Sequence, residues 1–328
     1  LLKELGARVV KVEQPGVGDY YRAVFNGEGI LGGGQVQVIN QGKESLGLDL
    51  KAEEGREIFK KLVRKADVVI ENFRPGVLKK LKLDYPVLKK INRGVILCSI
   101  TGFGQKGEKS RLAGHDLNYL GLSGLLSRIR DGEGRPVIPD FQIIDLAAGM
   151  EAAMKIAAAL HERDKTGRGC RIDCAMVRTG YSLSRLYALG SRRTEAGKSV
   201  VAGGLIRYAV YRTSDGRWIT LAALEPKFWS RFCRVVGRPE WAKEEGFRFL
   251  GEEKREELKK IFVGRSAQEW IELGAREDLC LFPVEEIEDL PLKPKKKAPE
   301  LGAQTTRILR SLGLSLNQIK TLKGKGVV

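Results

Sequence analysis

Two histidines occur in the 328 residues, so a side chain that exchanges a proton near neutral pH comes from a short list. His161 lies in Ala158-Ala159-Leu160-His161-Glu162-Arg163, near the end of an alanine-rich helical stretch. There the helix dipole favours a cation, and a surface position is the expected reading. His115 lies in Gly114-His115-Asp116-Leu117-Asn118-Tyr119, a polar cluster after a small-residue turn. Thirty positions on, Asp145 separates the largely apolar run Phe141-Gln142-Ile143-Ile144 from Leu146-Ala147-Ala148-Gly149. An aspartate there reads first as a helix N-cap. The placement also has a chemical meaning. Desolvation raises a carboxyl pKa, the dipole lowers it, and groups held in such a balance are candidates for proton transfer.

Other candidates are weaker by residue type alone. Arg74, in Asn72-Phe73-Arg74-Pro75-Gly76, follows a strand end, where open α/β sheets place ligands; otherwise it is a surface arginine. Glu225, in Leu224-Glu225-Pro226, stands directly after an apolar strand, and structural and functional readings are both open. Gly102-Phe103-Gly104-Gln105-Lys106-Gly107 spells G-x-G-x-x-G after a strand. A dinucleotide site needs a helix opening at the last glycines. Glu108-Lys109-Ser110-Arg111 shows no such apolar period, so a glycine loop approached by something bulky is expected instead of NAD. The five cysteines, Cys98, Cys170, Cys174, Cys233 and Cys280, are odd in number and scattered, without C-x-x-C. They suggest neither a disulfide framework nor a zinc site, and fit a reducing cytoplasm.

Composition narrows the partners. Lys and Arg total 58 against 41 Asp and Glu, a net charge of +17, which calls for an anionic partner. Nucleic acid is disfavoured because aromatics are only 7% and do not interleave with the basic residues. A phosphate-rich cofactor fits better. No apolar run reaches the ~18 residues of a membrane helix. No signal peptide is read at the amino end.

The elements that must hold these residues alternate. Strand signals at 8–12, 45–48, 68–71, 95–100 and 171–175 are separated by helix signals at 52–66, 77–81, 88–91 and 145–162, with Asp49 as a possible N-cap for the first of these. That alternation predicts βαβ units and a Rossmann-like parallel sheet, a large α/β domain over 1–195. Near Gly203-Gly204 the pattern changes to a hairpin (208–213, a Ser214-Asp215-Gly216 turn, then 218–223), followed by three amphipathic helices. A smaller α+β domain is placed at 200–290. A Pro/Lys linker covers 291–299, and helices over 300–328 return to the large domain. The opening Leu1-Leu2-Lys3-Glu4-Leu5-Gly6 reads as a helix already under way, so a first strand is expected to be missing.

In this order the segments resemble family III coenzyme A transferases, and within them the α-methylacyl-CoA racemases. The resemblance rests on Leu5-Gly6-Ala7-Arg8-Val9-Val10-Lys11-Val12-Glu13, on Gly42-Lys43-Glu44-Ser45-Leu46-Gly47-Leu48-Asp49-Leu50-Lys51, and on residues 101–105 and 112–126. Tyr211-Arg212-Thr213-Ser214-Asp215-Gly216, Glu225-Pro226-Lys227-Phe228 and the tail from Pro299 complete it. It implies an acyl-CoA thioester as substrate, with CoA as part of the substrate and no separate cofactor, and an interlocked homodimer. Histidine at 115 points to the racemase branch, in which His115 and Asp145 exchange protons at the carbon α to the thioester carbonyl and Glu225 hydrogen-bonds the histidine. Backbone N–H groups near Asp145 or the glycine loop are expected to hold the enolate oxygen. The resemblance also places Leu46, Gly47, Leu48, Asp49, Arg74, Gly114, His115, Asp116, Leu117, Asn118 and Tyr119 around the CoA ester. Two alternatives stay open: CoA transfer with Asp145 as nucleophile, and a non-catalytic CoA-binding homologue. Gln14 departs from the racemase pattern, which has an arginine there, and the connection from Pro283 to Pro299 is shorter than usual.

Overall fold

A computed structural model describes residues 1–24, 34–188, 200–243, 252–292 and 296–328. In chain order the strands are β1 (Val10–Glu13), β2 (Glu44–Gly47), β3 (Val68–Glu71), β4 (Ile96–Thr101), β5 (Arg171–Ala175), β6 (Tyr208–Arg212), β7 (Trp218–Ala222) and β8 (Leu281–Pro283). The helices of the first part are α1 (Tyr20–Val24), α2 (Gly34–Asn40), α3 (Glu53–Val63), α4 (Val77–Lys80), α5 (Tyr85–Ile91), α6 (Asp116–Leu122), α7 (Ile143–Thr166) and α8 (Met176–Ala188). They are followed by α9 (Pro226–Val235), α10 (Glu252–Phe262), α11 (Ala267–Glu277), α12 (Thr305–Ser311) and α13 (Leu316–Gly324). The chain divides into two compact units, Leu1–Arg185 with Lys293–Val328, and Leu186–Leu292.

Among the described residues, the strands of the first unit pair in parallel, as the βαβ pattern predicts. β1 pairs with β2, and β4 lies between β3 and β5. β4 reads Ile-Leu-Cys-Ser-Ile-Thr, and its residues are buried on both faces, as a central parallel strand requires. Side chains alternate across it. Ile96 and Cys98 meet Ala152 and Ile156 of α7, with Ile172 and Cys174 of β5. Leu97 turns the other way, to Val63, Leu83, Leu88 and Val95 under α3 and α5. The N-cap of α3 is Ala52, not Asp49. Asp49 instead accepts the Lys51 N–H, while its own N–H reaches the Val327 carbonyl.

The C-terminal segment completes this unit. Ser45 N–H donates to Gln304 Oε1 at 2.7 Å, Gly302 N–H donates to Ser45 Oγ at 2.9 Å, and Gly47 N–H donates to Thr305 Oγ1 at 3.0 Å. Ile308, Leu309, Ile319 and Val327 then close a core with Leu46 and Leu48.

The second unit is an antiparallel sheet in the order β6-β7-β8, with α9 to α11 supplying its core. The expected β6–β7 hairpin is present; β8, a strand of three residues, gave no periodic signal. Tyr211 stacks on Phe262 at 4.4 Å, Phe232 and Trp270 flank the same ring, and all four side chains are fully buried. No helix among the described residues is long and apolar enough to cross a membrane.

Candidate active site

His115 is the N-cap of α6, in extended backbone, and its side chain is exposed. Two bonds fix its main chain. Its N–H donates to Asn118 Oδ1 at 3.0 Å, and its carbonyl accepts the Asn118 N–H at 2.9 Å. Asn118 therefore works within the turn as a reciprocal cap. The turn is braced from behind by Tyr119, whose hydroxyl donates to the Gly114 carbonyl at 2.6 Å and whose ring meets Phe103 edge-on at 5.4 Å. The glycines on either side have a packing reason. A Cβ on Gly102 would lie 2.3 Å from the Tyr119 hydroxyl, and one on Gly114 would lie 2.9 Å from its ring. The bulky group approached by the glycine loop is thus Tyr119 itself. No α-helix opens after Gly107; a four-residue 3₁₀ turn, Glu108–Arg111, follows.

Asp145 occupies the third position of α7, not its N-cap, which is Gln142 and makes no side-chain cap. The cap comes from another element. One carboxylate oxygen of Asp116, a residue 9% exposed, accepts the N–H of Ile144 at 2.7 Å and of Asp145 at 2.9 Å. Two orphan donors of a helix start are thereby satisfied. The same bonds occupy the amides near Asp145 that were expected to face an enolate oxygen.

The Asp145 carboxyl is pushed up from the usual aspartate value by burial, then by the charge of Asp116, while the charge of His115 acts the opposite way. Its residue surface is nevertheless exposed, so the carboxyl is crowded by protein on one side and open to solvent on another. Two phenols share this environment. Burial and the Asp145 charge both push Tyr119 up, and burial followed by the charges of Asp145 and Asp19 does the same to Tyr21.

Tyr21 was missed in the sequence. It stands in α1, just beyond the carboxyl end of β1, the side on which parallel sheets hold ligands. Its N–H donates to Asp19 Oδ1 at 2.8 Å. Its neighbour Arg22 forks onto Glu13 at 2.7 and 3.0 Å, and Ser45 Oγ donates to the same carboxylate at 2.6 Å. Burial pushes Glu13 up, but Arg22, Ser45 and Lys11 outweigh it and hold Glu13 at about 2. The signal that could have found Tyr21 is Gly18-Asp19-Tyr20-Tyr21-Arg22, a capped helix start directly after a strand.

The remaining candidates are placed unequally. Gly114, His115, Asp116, Leu117, Asn118 and Tyr119 form one turn, with Leu117 and Asn118 exposed. Leu46 and Leu48 are core residues, 0% and 1% exposed, so their side chains face the hydrophobic interior instead of a ligand. The N–H of Gly47 is taken by Thr305. Asp49 is half-buried, and Arg74 is exposed in the turn after β3. Glu225 belongs to the second unit, where it is the exposed N-cap of α9, its carbonyl accepting the N–H groups of Phe228 and Trp229; it is not buried. His161 is exposed on α7. Among the described residues no group of three or more His, Cys, Asp or Glu could hold a metal ion.

A parallel α/β unit sets a histidine and a raised-pKa aspartate at the starts of two adjoining helices, and such perturbed groups are candidates for a functional site. The chain belongs to CoA-transferase family III, whose family model matches residues 1–308. It is 32% identical to human alpha-methylacyl-CoA racemase, covering 100% of this chain and 92% of that protein. It is 31% identical to mouse succinyl-CoA:glutarate CoA-transferase, covering 96% and 72%. Among solved structures, a CAIB/BAIF family protein from Brucella suis superposes with a TM-score of 0.77 at 27% identity, covering 95% of this chain and 93% of that one.

Proposed function

We propose that the protein racemises 2-methylacyl-CoA thioesters by 1,1-proton transfer between His115 and Asp145. The observation that carries this reading is the pairing of the two groups: His115 caps one helix, and its charge acts on the Asp145 carboxyl at the start of the next. In one direction neutral His115 takes the α-proton, leaving an enolate. Protonated Asp145 then returns a proton to the opposite face. The cycle ends with an imidazolium and a carboxylate, and the reverse direction restores the starting forms. A raised carboxyl pKa suits this role because Asp145 must hold a proton for half of the cycle.

With the Ile144 and Asp145 amides occupied, the enolate oxygen falls to the amides of Asp116 and Leu117. These open α6 beside His115 and have no acceptor within the helix. The step calls on no metal or redox group, since CoA is part of the substrate. The net charge of +17 suits a polyanionic thioester. Leu146, Met150 and Met154 recur along α7 at 55%, 54% and 67% exposure, an apolar stripe that supports a homodimer.

The test is α-proton exchange in deuterated water from each enantiomer, across a series of acyl chain lengths. Binding of the thioester without exchange refutes the proposal. The second reading, CoA transfer, is favoured by the exposure of the Asp145 side chain and by the mouse CoA-transferase at nearly equal identity. A covalent acyl or CoA adduct trapped on Asp145 during turnover would establish it.

A further inference from the structure

Asp116 is buried, carries a carboxylate, and is placed by neither acid–base role. Its neighbour in sequence is His115, and its hydrogen bonds run to the helix that carries Asp145. We infer that Asp116 is a positioning residue for the proton-transfer pair: a single carboxylate oxygen locks the start of α7 to the start of α6 and so fixes the separation of His115 and Asp145. This inference rests on the proton-transfer reading and deepens it.

Three observations carry it. First, α7 begins without a side-chain cap of its own, so Asp116 supplies the acceptor that its first turn lacks. Secondly, the bond partners are Ile144 and Asp145 themselves; the latter ties the backbone of the acid–base residue directly to the histidine turn. Thirdly, the lock is buried and adjoins apolar packing: Asp116 is 9% exposed, and its bond partner Ile144 packs in one core cluster with Tyr119, Leu120 and Val177. A charge-assisted bond in such surroundings is stronger and more directional than one in water. Misplacing a reacting group by about 1 Å costs on the order of 100-fold in rate.

The carboxylate has a second effect on the same group. Among the described residues, the ionisable side chains electrostatically coupled to Asp145 are Asp116, His115 and Tyr119 from the α6 turn and Tyr21 from α1. Of these, Asp116 adds to desolvation in holding Asp145 toward its protonated form, and His115 opposes it. Position and protonation are therefore coupled through one residue.

Two variants separate these effects. Asp116→Asn keeps an oxygen that can accept both N–H bonds but removes the charge. Amide hydrogen exchange at Ile144 and Asp145 should stay protected, the Asp145 carboxyl should titrate at lower pH by carbon-13 NMR, and the acid limb of α-proton exchange should move the same way for the enantiomer that the Asp145 carboxylate deprotonates. Asp116→Ala removes both. Protection of those two amides should fall about 10-fold or more, and kcat for α-proton exchange about 10- to 100-fold with KM changed less than about threefold. An Asp145 titration unmoved in Asp116→Asn, or an Asp116→Ala protein with wild-type amide protection and kcat, overturns the inference. If Asp116→Ala does not fold, the Asp116→Asn titration decides alone. Absence of α-proton exchange in the wild-type protein defeats the functional reading instead, and the amide and carboxyl measurements still decide the role of Asp116.

Discussion

The hydroxyl of Tyr119 occupies the space that any side chain on Gly102 would need, standing 2.3 Å from the position of its Cβ. The carboxyl end of β4 and the histidine-bearing turn are wedged together at that point. Gly102→Ala should drive Tyr119 aside and destabilise the protein by about 1–3 kcal/mol, the usual cost of overpacking. Tyr119→Phe keeps the ring and loses only the bond to the Gly114 carbonyl, an expected cost of about 0.5–1.5 kcal/mol. Urea unfolding of the two variants tests the ordering; equal stabilities would show that the glycine answers to something else.

His115→Ala and Asp145→Ala should each reduce α-proton exchange by at least about 100-fold, the lower range for loss of a general acid or base. Both side chains are exposed, so stability should change by less than about 1 kcal/mol. Either variant turning over at the wild-type rate excludes that residue from the mechanism.

Tyr21→Phe tests the phenol that shares the environment of Asp145. If the phenol acts on Asp145 or on the bound ligand, its removal should lower kcat/KM about tenfold. The far-ultraviolet spectrum, recorded alongside, separates a loss of activity from a loss of fold, since Arg22 and the Tyr21 main chain also anchor α1. An unaltered kcat/KM removes Tyr21 from the site.

Acid should weaken the β1–β2 layer through Glu13. Its pKa of about 2 lies below the usual glutamate value, so the stabilisation is full above about 4.5 and is lost as the pH falls through about 2. The gap corresponds to roughly 3 kcal/mol. Glu13→Gln should be less stable at pH 7 and should lose less on going to pH 3 than the natural chain. Urea midpoints at the two pH values measure this, and parallel losses in both proteins count against it.

Most of the scaffold was legible because periodicity reports burial. β3, α7 and the β6–β7 hairpin fall within a few residues of their expected bounds. At Leu46 and Leu48 a family motif does not distinguish a side chain from its backbone: both side chains point into the core, so any contact with a ligand there falls to the main chain. Asp145 read as an N-cap because local sequence cannot show a cap delivered from Asp116, 29 positions away. The segment around Tyr21 carried a helix-start signal, but its relation to Asp145 exists only in the folded chain.

The latch of Ser45, Gly47 and Asp49 to residues 302–327 has a consequence for synthesis. The first unit takes residues from both sides of the Leu186–Leu292 unit, so a growing chain holds β2 without its covering helices until the segment beyond Lys293 has left the ribosome. The inserted unit has its aromatic core complete earlier and is free to fold first. Until the tail arrives, Leu46 and Leu48 have only Ile58 and its neighbours from the first half to cover them, and the side of that core filled by Ile308, Leu309, Ile319 and Val327 stays open to solvent.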